Sequence, residues 1–290
     1  MARAEIPVDL FNPGQVFACL GFLEAADLLV GDALGGFAWW DSRDCFRICA
    51  RGDEDPVAVV LDFIKTAEVK WLSHRQDVKE RDGGDTEIRE GIAASAEPRA
   101  ADLPGLLRGR RNGRTVEIGF GFWADGSSRF ATTFKKSTNG ASSYVRFRNG
   151  LEAMKQWDTK SVLADPFNRD ARTESLFRLD PRGSVDPIHG GFSPDTLRKG
   201  EGGGLDVRVA TYPICELLAI LGLENARPER LDATRCAYCV WDRLLPPPLA
   251  RAAIAGALGF VRRRRFVVEH EEVKKGGDRK MTNVTEEPTQ

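Results

Sequence analysis

Residues 12–65 have the sequence NPGQVFACLGFLEAADLLVGDALGGFAWWDSRDCFRICARGDEDPVAVVLDFIK. Asn12 followed by Pro13 marks a helix start, with Asn at the N-cap, Pro at the first helical position and Gln15 placed to close a capping box. Apolar residues then recur at helical spacing as far as Gly31. This pattern predicts a first helix that ends at the glycine.

Short aromatic and β-branched runs follow at residues 36–40 and 45–50. Polar turn residues separate the two runs, so they predict a β-hairpin. Asp55-Pro56 repeats the cap-then-proline signal and predicts a second helix. Farther along, helices and hairpins are interleaved without the regular strand–helix alternation of a parallel sheet. The sequence therefore predicts an α+β fold, in which helices are interleaved with antiparallel hairpins and long irregular connections.

The same patterns predict seven further elements. They are a strand over 116–122 paired with 129–134, a strand at 143–148, a helix around 151–157, a helix over 211–221 closed by Gly222, a helix over 249–258 and a strand over 260–269. Polarity suggests four regions. They are an N-terminal α+β region (1–72), a polar arginine-rich insert or loop (73–114), a β-hairpin and helical nucleic-acid-binding region (115–269) and a solvated tail (270–290).

The formal net charge of -1 hides an uneven distribution of charge. Residues 1–62 carry 4 basic and 11 acidic side chains, whereas residues 63–265 carry 34 basic and 26 acidic ones. No apolar stretch reaches the ~18 uncharged residues that span a bilayer, and no secretory leader precedes the first helix. We therefore expect a cytoplasmic protein with no membrane partner and with reduced, buried cysteines.

Motifs for catalysis are missing from the sequence. It contains no glycine-rich loop ending in Gly-Lys-Ser/Thr, no His-Glu-x-x-His and no Gly-x-Ser-x-Gly. We therefore predict a protein that is not an enzyme and needs no cofactor. The alternative is an endoribonuclease that uses His189, beside two glycines, or His74, and the family resemblance given below implies guide RNA as its substrate.

Four cysteines raise the question of zinc. Cys236 and Cys239 have two-residue spacing, and Cys45 and Cys49 could complete four thiolate ligands. Buried packing of apolar strands explains both pairs equally well. No metal site is therefore assigned, and zinc at these four thiols stays an open alternative.

The segment between Gly126 and Leu151 contains no Asp or Glu but holds five basic and four aromatic side chains. Such a surface favours phosphates, because bound cations release condensed counterions and exposed aromatic rings can stack on unpaired bases. Strand alternation over 143–148 would place Tyr144, Arg146 and Arg148 on one basic face. The alternative interpretation of the loop at 135–143 is an ordinary solvated hairpin tip.

Two arginine clusters extend this prediction, one at residues 108–114 and one at 262–265. Four consecutive arginines in a strand put two on each face, so some of them should meet an acidic partner. That partner could be nucleic acid or the acidic N-terminal region. The predicted nucleic-acid-binding residues are Arg108, Arg110, Arg111, Arg114, Arg129, Lys135, Lys136, Ser137, Asn139, Tyr144, Arg146, Arg148, Arg262, Arg263, Arg264 and Arg265.

Three segments carry a family resemblance. They are Asn12-Pro13-Gly14-Gln15-Val16-Phe17-Ala18-Cys19-Leu20-Gly21-Phe22-Leu23-Glu24, Leu176-Phe177-Arg178-Leu179-Asp180-Pro181-Arg182 and Tyr212-Pro213-x-x-Glu216-Leu217-Leu218-Ala219-x-x-Gly222-Leu223. Together they resemble the large-subunit-like proteins of type I-U (I-G) CRISPR effector complexes. None of the three segments is a catalytic signature.

The resemblance implies a subunit of an RNA-guided Cascade surveillance complex in antiviral defence. In such a complex the guide RNA reads the target by base pairing, while protein recognises the short flanking motif. The implied partners are guide RNA, target double-stranded DNA, other Cascade subunits and the helicase-nuclease recruited to the complex. The binding residues named above come from the charge pattern alone, and a purely structural scaffold subunit of the same complex is the remaining alternative.

Overall fold

A computed structural model describes residues 1–40, 43–73, 86–88, 105–120, 143–172, 179–183, 210–274 and 278–288 of the chain. Within these residues, helices are interleaved with mainly antiparallel sheets, and the predicted α+β class is confirmed. The buried apolar residues form one continuous cluster that draws on both ends of the chain and on its middle.

The strands are β1 (Ala2–Pro7), β2 (Leu34–Ala38), β3 (Cys45–Ala50), β4 (Glu68–Ser73), β5 (Thr86–Ile88), β6 (Gly105–Arg111), β7 (Arg114–Phe120), β8 (Ala171–Arg172), β9 (Ala210–Thr211), β10 (Glu229–Arg230), β11 (Arg235–Trp241), β12 (Arg263–Lys274) and β13 (Asp278–Glu287). The helices are α1 (Pro13–Val30), α2 (Pro56–Thr66), α3 (Ser143–Lys155), α4 (Thr159–Val162), α5 (Pro213–Asn225) and α6 (Pro247–Ile254). Short 3-10 turns lie at Pro166–Asn168 and Pro181–Gly183.

Three sheets surround the helices. Their strand orders are β1-β3-β2, β5-β4-β6-β7 and β10-β11-β12-β13, and a two-stranded pair joins β8 to β9. Neighbouring strands pair antiparallel except β4 and β5, which are parallel. The first and third sheets meet where Gly35 exchanges two 2.9 Å backbone hydrogen bonds with Leu245.

Helices α1 and α5 form the centre of the core. The side chains on α1 are apolar nearly all round, which is typical of a helix buried on every side, and fifteen of its residues are buried. Its length and hydropathy would also allow a membrane crossing, but 83% of it is buried inside the protein. The burial therefore accounts for its composition.

The predicted start of α1 is confirmed in part. Asn12 caps the helix, since its Oδ1 accepts a 3.2 Å hydrogen bond from the Gln15 backbone N–H. Gln15, however, does not close a capping box, because its Oε1 accepts from the Asp9 N–H at 2.8 Å. The end at Gly31, the β2–β3 hairpin and the start of α2 after Asp55 agree with prediction.

The strand predicted at 143–148 is wrong, because these residues begin helix α3. Phe147, Leu151 and Met154 are separated by four and three residues, and all three are buried. This helical spacing extends farther than the five-residue alternation that suggested a strand. Residues 146 and 148 are therefore roughly 200° apart around a helix and do not share one basic face.

The loop predicted through residue 114 is also wrong at its C-terminal end. Strands β6 and β7 form a hairpin there, and the boundary expected between residues 114 and 115 falls inside β7. Strand β7 pairs with β6, whereas the partner expected at 129–134 lies outside the described residues. Gly109 packs against the Phe63 ring of α2, so the hairpin belongs to the same core as α1.

Two further expectations are corrected. Gly222 does not end its helix, since α5 continues to Asn225. The region expected to be a solvated tail contains the end of β12 and all of β13, which pair over most of their length. The helix predicted over 249–258 is α6, which begins at Pro247 and ends at Ile254.

Candidate nucleic-acid interface

The β6–β7 hairpin carries the first arginine cluster to its tip. Asn112 and Gly113 connect the strands with φ angles of 49° and 76°. Two successive residues with positive φ are the signature of a tight two-residue turn that matches the twist of the strands. The hairpin tip (residues 110–115) is exposed apart from half-buried Arg111.

Acidic neighbours neutralise half of this cluster. Arg108 contacts Glu117 on the facing strand, with an Nη2–Oε1 distance of 2.7 Å. Arg111 forms an ion pair with Glu54, just before α2. Arg110 and Arg114 are exposed and have no carboxylate partner within the described residues. Because Arg110 is opposite Thr115 and Arg114 is opposite Arg111, the two free arginines project from opposite faces of the hairpin.

The second cluster, at residues 262–265, is divided in the same way. Arg264 makes a bidentate ion pair with Glu286 of β13, at 2.7 and 2.6 Å. This bond holds the pKa of Glu286 below its ordinary value. Arg265 contacts Glu229 and Glu287 at 3.1 and 3.0 Å. The carboxylates in direct contact with these two arginines therefore belong to strands β10 and β13 of this chain, and Asp44 of the N-terminal region interacts with Arg264 as well.

Arg262 and Arg263 have no carboxylate partner among the described residues. Arg263 donates to the Gly256 carbonyl oxygen, and its side chain is exposed. Arg262 is also exposed, and its Cζ lies 4.9 Å from the ring centroid of Trp40. Both clusters thus contain two arginines tied to carboxylates and two whose charge faces solvent.

Most of the acid-free segment falls outside the described residues. Arg129, Lys135, Lys136, Ser137 and Asn139 are among the undescribed positions. The remaining candidates, Tyr144, Arg146 and Arg148, belong to α3, and Arg148 is exposed.

Sequence reasoning missed a surface that we name the sheet junction (Trp40, Arg243, Leu244 and Arg262). Here the end of β2, the segment after β11 and the start of β12 come together. The Asp242 N–H donates to the Arg262 carbonyl at 3.2 Å. All four side chains are exposed, and Trp40 keeps 46% of its surface accessible.

A signal for this surface was present in the sequence. Trp39 and Trp40 are consecutive at the end of an apolar run, and alternation along a strand sends one of two such neighbours outward. The whole run was assigned to one strand of the hairpin. Strand β2 ends at Ala38, so Trp40 lies beyond the paired region.

The three segments that carry the family resemblance converge on one buried cluster. We name as the buried cluster the buried residues Asn12, Asp180 and Glu216 together with the exposed Arg182 and the half-buried Tyr212, which cover them. Glu216, in the first turn of α5, accepts hydrogen bonds from the Leu179 and Asp180 N–H groups at 3.1 and 2.8 Å. Its side chain is only 2% exposed.

Asp180 is the centre of the buried cluster and has no exposed surface. It accepts from Asn12 Nδ2 at 2.9 Å and from Arg182 Nη2 at 2.7 Å. Arg182 also donates to the Phe167 carbonyl at 2.6 Å, and its Cζ lies 3.8 Å from the Tyr212 ring centroid. Burial acts to lower the pKa of Arg182, but its hydrogen bond and ion pair with Asp180 outweigh burial and raise it.

The electrostatics of the buried cluster are balanced locally. The Asp180 carboxylate pairs with the Arg182 guanidinium and lies near the N-terminal end of α1. The Glu216 carboxylate lies in the first turn of α5. At both places the helix dipole favours negative charge. The ligands of Asp180 and Glu216 are hydrogen-bond donors of this chain. The buried cluster therefore holds residues 179–183 against the two central helices and does not present its carboxylates to solvent.

The described residues give no support to a metal site at the cysteine candidates. None of the six cysteines forms a disulfide, and five of them are buried. Among the described residues no group of three or more His, Cys, Asp or Glu side chains could hold a metal ion. Burial, and then the charges of Asp180 and Glu216, raise the pKa of Cys215 well above its ordinary value. His74 and His189, the residues of the endoribonuclease alternative, lie outside the described residues.

Comparison with known proteins finds no match. No family model, no curated protein and no solved structure is significantly similar to this chain. The resemblance described above is therefore carried by the residues of its three segments.

Proposed function

We propose that this protein is a non-catalytic, nucleic-acid-binding subunit of an RNA-guided CRISPR surveillance complex of the Cascade type. In this role it binds guide RNA and target double-stranded DNA in the cytoplasm and helps recognise the motif that flanks the target. Its further partners are the other Cascade subunits and the helicase-nuclease recruited to the complex. The observation that carries the proposal is the division of both arginine clusters into neutralised and free members.

Free arginines on a rigid hairpin favour contact with phosphate. Arg110 and Arg114 extend from opposite faces of the hairpin tip and lack carboxylate partners in the described part of the chain. Guanidinium groups bind phosphate oxygens in a fixed fork geometry. A narrow hairpin with one arginine on each face can therefore contact phosphates on both of its sides. The two sugar-phosphate backbones that border a groove of a DNA duplex present phosphates in this way.

The convergence of the three resembling segments also supports the proposal. Asn12, Asp180 and Glu216 are far apart in the chain, yet they build one connected set of hydrogen bonds. A fold shared with that family would bring the three segments together in this way.

Replacing Arg110 and Arg114 together by alanine is expected to weaken binding of double-stranded DNA about tenfold near physiological salt. The slope of log affinity against log salt is negative, and each lost phosphate contact should make it less steep by about 0.9. Fluorescence anisotropy of a labelled duplex, titrated with the assembled complex over a range of salt concentrations, measures both quantities.

The matched control replaces Arg43 and Arg51 by alanine. These arginines are also exposed, but each is paired with a carboxylate, Asp165 or Asp32. Their loss should leave affinity and salt slope nearly unchanged. Equal binding by the Arg110/Arg114 variant and the control would refute a role for the hairpin tip in DNA binding.

The acid-free segment provides a second prediction. Lys135 and Lys136 lie in the part of the sequence that combines basic residues with the absence of any carboxylate. Replacing both by alanine should weaken duplex binding by the assembled complex and flatten its salt dependence, because two cations that release counterions are lost. The same anisotropy titration measures the effect, and unchanged binding would remove this segment from the interface.

A further inference from the structure

The sheet junction is built by close contact of backbones. Gly36 of β2 has no side chain, and a methyl group there would overlap the Arg243 carbonyl oxygen. Arg47 of β3 donates from Nη2 to the Asp242 carbonyl at 3.1 Å, and the Trp241 indole N–H donates to the Gly35 carbonyl at 3.0 Å. These contacts hold the loop after β11 rigidly against β2.

The rigid backbone supports an exposed indole. The rings of Trp39 and Trp40 lie 4.7 Å apart between centroids, and Trp39 packs partly against the core. Trp40 is thereby held in place while nearly half of its surface stays accessible. A tryptophan is among the most costly side chains to leave in water, so an indole that is both fixed and exposed points to a ligand with an aromatic or apolar face.

The charges around the indole identify the kind of ligand. Arg262 lies over the Trp40 ring, with its Cζ 4.9 Å from the ring centroid, and has no carboxylate partner among the described residues. Arg243 is exposed and follows Asp242, whose N–H donates to the Arg262 carbonyl. Asp44, just before β3, interacts with Arg264. Because no carboxylate of the described residues pairs with Arg262 or Arg243, an anion bound against the ring can contact their charge.

We propose that the sheet junction binds an unpaired nucleotide, whose base stacks on Trp40 in place of the Arg262 guanidinium. The displaced Arg262 then contacts the phosphate together with Arg243. The inference rests on the proposed function and assigns to this site a single strand, not a duplex, because a base is open to stacking on a side chain only when it is unpaired. Every base has a π face, so the site is expected to tolerate different sequences. A flat aromatic ring joined to an anion matches an indole flanked by guanidinium groups.

The test uses the full-length chain and a labelled oligothymidylate of about 15 nucleotides, within the usual range of single-strand sites. Trp40→Ala should weaken binding of the single strand by about tenfold or more, and Trp40→Phe, which keeps an aromatic face, by less than about threefold. Arg262→Ala should make the negative slope of log affinity against log salt less steep by about 0.7, the value for one phosphate of a single strand. Leu28→Ala, at an exposed apolar position on α1, is the control.

A second measurement separates stacking from general loss of affinity. Binding of the oligonucleotide should quench tryptophan fluorescence in the native chain, and most of this quenching should disappear in Trp40→Phe. Single-strand affinity and quenching that are unchanged in both Trp40 variants would overturn the proposed site. A Trp40→Ala variant that loses only its sister subunits, with the same affinity for the oligonucleotide, would assign the surface to a protein contact and likewise overturn it.

The two proposals fail in different ways. If the Trp40 variants bind normally while the Arg110/Arg114 variant loses duplex affinity, the stacking site is wrong and the proposed function stands. If the native chain binds neither the oligothymidylate nor a duplex, either alone or in its complex, the proposed function is wrong and the stacking site is wrong with it.

Discussion

Replacing Gly222 by alanine is expected to reduce the free energy of unfolding by about 3 kcal/mol or more, because α1 and α5 contact each other there through their backbones. A methyl group on Gly222 would overlap the Phe17 carbonyl oxygen, and one on Gly21 would overlap that of Leu218. Backbone atoms of two buried helices cannot move aside without separating the helices. The better helix propensity of alanine, worth about 1 kcal/mol, offsets only part of the loss.

Urea unfolding followed by far-UV circular dichroism measures this effect. Gly21→Ala should show a similar loss, because the contact between the helices is reciprocal. Gly259→Ala is the matched control, since a methyl group there would meet no atom within 4 Å. It should change the free energy of unfolding by less than about 0.5 kcal/mol. A Gly222→Ala protein as stable as this control would show that the helices do not cross at these glycines.

The second large effect is expected from Glu216. Its replacement by alanine leaves the buried Leu179 and Asp180 N–H groups without their acceptor. An unsatisfied buried donor costs about 1–3 kcal/mol, so the free energy of unfolding should fall by about 2–5 kcal/mol. Urea unfolding measures the total, and hydrogen exchange at the Leu179 and Asp180 amides measures the local loss of protection.

Two variants distinguish this effect from a general loss of a carboxylate. Glu216→Gln keeps one acceptor oxygen and should lose less stability than Glu216→Ala. Glu152→Ala removes an exposed carboxylate that pairs with Lys155 one helical turn away, and should cost less than about 0.5 kcal/mol. If Glu216→Ala matched Glu152→Ala in stability, the buried cluster would not anchor residues 179–183.

Local signals in the sequence were sufficient where the chain obeys strong stereochemical rules. The cap and proline at Asn12-Pro13 and at Asp55-Pro56 located the starts of α1 and α2, because proline fits only the first turn of a helix. The β2–β3 hairpin followed from its apolar runs and the polar turn between them. These signals act over a few residues and need no tertiary context.

Short windows failed where two periodicities fit the same residues. The alternation at 143–148 is compatible with a strand, and only the longer spacing of Phe147, Leu151 and Met154 identifies α3. Gly222 was interpreted as a helix end because glycine is common there. Its actual reason is the contact with Phe17 of α1, about 200 residues away in the chain, which a local pattern cannot contain.

The candidate interface was predictable only in part, for a related reason. Sequence located the arginine clusters, but the charge that an arginine presents depends on which carboxylates reach it. Glu54 neutralises Arg111, and Glu286 neutralises Arg264, through pairings of strands and turns that the sequence does not reveal. Trp40 was assigned to the first strand of the hairpin, and its exposure depends on where that strand ends.

The sequence by itself determined the α+β class, the starts of α1 and α2 and the presence of two arginine clusters. These features depend on residues close together in the chain. Only the tertiary structure decided which arginines remain free, which indole faces solvent and how Asn12, Asp180 and Glu216 meet. Those outcomes depend on contacts between distant residues, since ion pairing, burial and hydrogen bonding are set by distances in space and not along the chain.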